Sequence, residues 1–210
     1  MDSLSLPLIL IVITVVLSLV TFSNNSLTQK LILNPYTIKR RSEYYRLLTS
    51  GFIHANLPHL LFNMFTFYFF APVVESYFSH YFGTAGTWIF LGLYLGAIVV
   101  GSLPDYFKYQ DQPHYNALGA SGGVSGIVMA SILMEPLNKL YIILIPIGIP
   151  GFIFGILYLM YSYYQSKNAN DNIGHTAHLW GALFGIALTA LLRPAFLTEF
   201  VAKISQWSVF

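Results

Sequence analysis

Three short stretches of this chain place serine, histidine and asparagine where apolar helix is otherwise expected. GASGGVSG, residues 119–126, holds four glycines and two serines, among them Ser121. GHTAHLWGALFG, residues 174–185, carries His178 beside Ala177, Gly181 and Gly185 at four-residue spacing. HANLPHLLFN, residues 54–63, sets His59 and Asn63 four apart, on one face of a helix, with His54 nearer the preceding loop. Together these residue types could hydrolyse an acyl bond. A serine hydroxyl is a weak nucleophile until a base draws off its proton, and histidine is the usual base. The attacked carbonyl becomes an oxyanion, which histidine, asparagine or backbone N–H donors can stabilise. Each stretch also has a plainer reading. The small residues suit close packing of membrane helices, a buried histidine can be a hydrogen-bonded packing residue, and His59 and Asn63 could pair with each other.

The chain that must position these residues is 210 residues long, 56% hydrophobic and 9% charged, with positive mean hydropathy. Soluble domains carry about a quarter charged residues. The composition indicates an all-α polytopic membrane protein. A formal net charge of +2 lacks the concentrated basic face of a nucleic-acid binder. There is no cysteine, hence no disulfide, thiolate nucleophile or thiolate metal site. The apolar run 6–22 has no preceding Lys or Arg and no following small-residue cleavage site, so it reads as a retained span rather than a signal peptide.

Hydropathy predicts six spans, at about 6–22, 57–75, 84–103, 116–134, 149–165 and 172–192, in one membrane domain covering 1–210. Pro146 and Pro150 interrupt the apolar run before the fifth. Lys30, Lys39, Arg40, Arg41 and Arg46 face a single acid, Glu43, in the long connection between the first two spans. A plain charge count would put that loop in the cytoplasm and both termini outside.

Polar groups in hydrocarbon are costly and mark function by default. Ser121, His178, His59 and Asn63 come from three predicted helices and supply nucleophile, base and oxyanion donors. Ser121 lies near the start of its span, where free N–H groups and the positive helix end favour an anion. No acidic residue lies in the fourth or sixth span, so a Ser-His dyad fits better than a triad. The rival use of the histidines, a metal site, lacks intramembrane carboxylates and an H-E-x-x-H pattern; neither metal nor cofactor is expected.

With these motifs in register, the sequence resembles a rhomboid intramembrane serine protease in its minimal six-helix form. The resemblance rests on Gly119-Ala120-Ser121-Gly122, on Ala177-His178 followed by Gly181 and Gly185, on His54, His59 and Asn63, and on Glu43-Tyr44-Tyr45-Arg46 in the first loop. It implies Ser121 as nucleophile, His178 as general base, and His59, Asn63 and the Ser121 N–H as oxyanion donors. Tyr45 and Arg46 would brace a first loop embedded in the membrane. It further implies transmembrane-helix substrates within the bilayer and, for bacterial six-helix members, a plasma-membrane location with both termini cytoplasmic. The basic loop would then lie at the outer leaflet, its long side chains snorkelling to headgroups. The alternative is a catalytically inactive rhomboid-like protein that binds membrane clients. One departure stands out: some members place a tyrosine four residues after the nucleophile, packed on the histidine, and here that position is Ser125. Packing of His178 is then expected from another aromatic, such as Phe184 or Trp180.

Overall fold

The structure, a computed structural model, describes residues 5–141, 148–168 and 173–208; Pro146 lies outside them. Among the described residues, helices α1 (Leu6–Ser23), α5 (Leu57–Phe82), α6 (Ala85–Tyr109), α7 (Ser121–Met134), α8 (Gly151–Asn168) and α9 (His175–Leu192) fall on the six hydropathic segments. The long first connection folds into α2 (Asn25–Leu31), α3 (Pro35–Arg41), α4 (Arg46–Thr49) and a 3-10 turn at Ser50–Phe52. A hairpin of β1 (Lys139–Tyr141) and β2 (Gly148–Pro150) joins α7 to α8, and α10 (Ala195–Ser205) follows α9.

Local chemistry sets several boundaries. Asn56 caps α5 by accepting the His59 N–H at 2.9 Å, and Asn34 caps α3 by accepting the Thr37 N–H at 2.7 Å. Pro35 and Pro58 fall in first turns, where the missing N–H costs nothing. α5 continues past Pro72 to Phe82, beyond the predicted end at 75. α7 starts at 121 rather than 116, because Ala117 is drawn into an antiparallel bridge with Leu33 of the first loop. The bridge makes two N–H···O=C bonds of 3.0 Å, and Gly119 breaks the helical path before Ser121.

α7 is the central helix. Every residue from Gly122 to Met134 is buried, enclosed by α5, α6, α8 and α9. Phe67, Phe78, Phe90, Leu93, Tyr94 and Ile127 form the fully buried core between α5, α6 and α7. Large apolar side chains on the outer helices, such as Val12, Val16, Phe62, Phe65, Leu157 and Leu191, point outward instead, as lipid-facing residues do. Among the described residues four helices (α1, α5, α6 and α9) are long and apolar enough to cross a membrane, while α7 is apolar but shorter. At 1.5 Å per residue its 14 residues span only about 21 Å of a hydrocarbon core about 30 Å thick. If its Met134 end reaches one interface, Ser121 lies about 10 Å inside the other.

Candidate active site

Ser121 is the first helical residue of α7, and Ala120 is its N-cap. The first-turn N–H groups of a helix have no partner within it, and they carry its positive end. Ser121 is half-buried at the mouth of an otherwise enclosed helix.

His178 reaches the same level through backbone contact between α7 and α9. A Cβ on Gly181 would lie 2.1 Å from the Gly122 carbonyl oxygen, and one on Gly185 would lie 2.2 Å from that of Gly126. A Cβ on Gly122 would sit 3.4 Å from the Ala177 carbonyl oxygen. Ser121 and His178 each adjoin this Gly122–Ala177 contact in the chain. The small-residue stripes are therefore packing surfaces, and packing is what brings the two motifs together. Gly181→Ala is expected to force the helices apart at a cost of about 2–3 kcal/mol, lowering the thermal midpoint and activity together. A fully stable Gly181→Ala protein would refute the close approach.

On the other side of Ser121, Gly119 adopts φ +126°, and a Cβ there would fall 2.6 Å from His59 Cε1. Only glycine lets the imidazole lie against the backbone two residues before the serine. Asn63 is buried one turn along α5, and its Nδ2 donates to the His59 carbonyl oxygen at 3.0 Å. This is the amide's bond to its own helix; the second N–H is a further donor. His59 and Asn63 are not paired side chain to side chain through it.

His54 has a different place. It precedes α5, is buried, and accepts the Ala120 N–H at Nε2 (3.3 Å) while Nδ1 meets Ser18 Oγ at 2.9 Å. Accepting at Nε2 puts the proton on Nδ1, so Ser18 Oγ accepts it and in turn donates to the Phe52 carbonyl oxygen at 3.3 Å. One neutral imidazole thus ties α1 and the 3-10 turn to the N-cap of α7. Burial, helped by the nearby His59, holds its pKa down at about 3. The unfolded chain takes up a proton on this histidine more readily than the folded one. Its contribution is therefore whole above about pH 6.5 and lost as pH falls toward 3, by at most about 1.4 kcal/mol per pH unit. The thermal midpoint should fall over that window, and His54→Gln should flatten the fall; an unchanged slope in the variant would refute the assignment.

The first loop fixes the approach to Ser121. Asn34 Nδ2 donates to the carbonyl oxygens of Pro113 (3.0 Å) and Tyr115 (3.2 Å), and the Gly119 N–H donates to the Ser50 carbonyl oxygen at 2.9 Å. Arg46 is buried, pairs with Glu43 through Nε at 2.7 Å, and donates through Nη1 to the carbonyl oxygens of Gln29 (2.6 Å) and Ile32 (3.0 Å) at the end of α2. Arg46 beside it holds the Glu43 carboxyl below its ordinary pKa. Tyr45 lies half-exposed over this pair, its hydroxyl 3.2 Å from Glu43.

The aromatic on His178 is neither Phe184 nor Trp180. The Phe184 ring packs over Gly96 of α6, and Trp180 is largely exposed. Tyr158 of α8 lies on the imidazole instead, with ring centroids 6.3 Å apart and planes 21° apart. Its hydroxyl is 2.5 Å from Ser125 Oγ, the position where a tyrosine would otherwise be expected. Nothing in the spacing of α8 singled out this residue, because its partners lie on two other helices.

The rhomboid domain model matches residues 41–195, which contain every one of these side chains but Ser18, Asn34 and the end of α2. The chain belongs to the rhomboid family. It is 31% identical over 150 residues to the putative rhomboid protease YdcA of Bacillus subtilis, covering 71% of this chain and 67% of that one. It is 26% identical over 184 residues to the mitochondrial RHOMBOID-like protein 12 of Arabidopsis thaliana, covering 79% of this chain but 52% of that protein. Rhomboid protease GluP of Bacillus subtilis is 29% identical over 151 residues, 72% of this chain and 27% of the relative. The chain thus spans between about a quarter and two thirds of these relatives. Membership makes it a multi-pass integral membrane protein of a helical family that includes serine proteases and inactive relatives.

Proposed function

We propose that this rhomboid is an active intramembrane serine endopeptidase that cleaves transmembrane-helix substrates with a Ser121–His178 dyad. The observation that supports the reading is the Gly122–Ala177 backbone contact, whose neighbours in the chain are Ser121, at a helix N-terminus, and His178 on the facing helix. His178 takes the Ser121 proton as Oγ attacks the scissile carbonyl carbon. His59, Asn63 and the Ser121 N–H stabilise the resulting oxyanion. Collapse breaks the C–N bond, the imidazolium protonates the leaving amine, and water activated by the same imidazole hydrolyses the acyl-enzyme. No metal or cofactor takes part in these steps.

Ser121, His178 and His59 are half-buried, as groups lining a water-filled recess must be to be tolerated at this depth. α5 and α8 flank α7 without extensive packing on each other, which favours lateral entry of a substrate helix between them. Such a helix must unwind before attack, so glycine, proline or polar residues near the cleavage site should favour hydrolysis. We place both termini in the cytoplasm of a bacterial cell and the site toward the outer face. Reconstituted in proteoliposomes, the protein should cut a model transmembrane helix bearing such residues. Tight binding of that helix without cleavage by folded protein would instead support the inactive, client-binding alternative.

A further inference from the structure

Tyr158 touches both partners of the proposed dyad's framework. Its ring covers His178 on α9, and its hydroxyl is bonded to Ser125, which is buried on α7 one turn after Ser121. One turn along, Tyr161 meets His175 edge-on at 5.6 Å, and His175 meets His178 edge-on at 5.8 Å. The antiparallel helices α8 and α9 thus set two tyrosines against two histidines, three residues apart on each. Tyr158 also reaches α7. A general base must stay within hydrogen-bond reach of its proton donor, and a misplacement of an ångström is costly.

We infer, on the dyad reading, that Tyr158 is the positioning residue for His178, anchored through Ser125, so that displacing α8 from α7 at this level disarms the base. The same side chain holds the bond to α7 and the stack on α9; it cannot leave one without loosening the other. Substrate entry past α8 must therefore either leave the Tyr158 segment in place or restore it before attack.

The test uses the full chain in proteoliposomes with a model transmembrane-helix substrate and, in detergent, a fluorophosphonate probe. Tyr158→Leu, which loses the ring, should lower kcat and the labelling rate about 10- to 100-fold with KM within about twofold. Tyr158→Phe and Ser125→Ala keep the ring but lose the anchor; each should lose about three- to tenfold in kcat, and the two together no more than either alone. A tyrosine placed at 125 would enter the space that Tyr158 leaves. Ser125→Tyr added to Tyr158→Leu should recover at least about threefold in kcat, which a merely structural role would not yield. Wild-type kcat in Tyr158→Leu would overturn the inference while leaving the dyad standing. Should that variant not fold, wild-type kcat in Tyr158→Phe and Ser125→Ala would overturn it equally. Absence of labelling in folded wild-type protein would instead remove the dyad reading itself.

Discussion

Ser121→Ala is expected to reduce cleavage of a transmembrane substrate by at least about 10⁴-fold, and His178→Ala to match it. The two side chains act as a unit, so the double variant should be no worse than either single one. Neither substitution should unfold the protein. Alanine is a good helix former, both positions are half-buried, and the α7–α9 seam depends on Gly122, Ala177, Gly181 and Gly185 rather than on these side chains. Thermal midpoints should stay within a few degrees of wild type. Cleavage persisting in folded Ser121→Ala protein would mean that the serine, for all its position at a helix N-terminus, serves packing alone.

The second large effect belongs to the oxyanion donors. Asn63→Ala and His59→Ala should each lower kcat about 10²- to 10³-fold, with KM changed far less, because the donors act on charge that exists only after attack. Asn63→Asp should be worse than alanine, since it sets an acceptor and a negative charge where the oxyanion forms. The two positions differ in their side effects. His59 packs on Gly119, so its removal also opens space beside Ser121. Asn63 returns one bond to its own helix, and its loss should cost little stability. An Asn63→Ala protein that melts early yet keeps wild-type kcat would return this residue to a structural role.

What could be read from the sequence followed from spacing within single helices. His59 and Asn63 share a face because four residues make about one turn, and the Ala177–Gly181–Gly185 stripe is visible for the same reason. The long apolar runs that became α1, α5, α6 and α9 needed only length and hydropathy. The start of α7 could not be read this way. Residues 116–120 are as apolar as a helix would be, yet Ala117 pairs with Leu33, more than eighty residues earlier, and that pairing ends the helix at Ser121. The role of Ser125 was hidden in the same manner, because its partner Tyr158 arrives from α8. α10 was missed although its anchor is chemically simple: Lys203 Nζ donates to the Met134 carbonyl oxygen at 2.7 Å and pairs with Glu135 at 3.0 Å. The caps of α2 and α3 are legible by residue type. Asn34-Pro35 is a helix start by residue type alone, and Asn24 accepts the Leu27 N–H at 3.0 Å.

The central claim is that Ser121 is activated by His178, and labelling with a fluorophosphonate probe tests it most directly. The purified protein would be treated in detergent beside folded Ser121→Ala and His178→Ala variants, and the adduct mapped by mass spectrometry. The account predicts a single adduct on Ser121 of the wild type and none in either variant. Undiminished labelling of His178→Ala, or an adduct on any other serine with Ser121 unmodified, would contradict it.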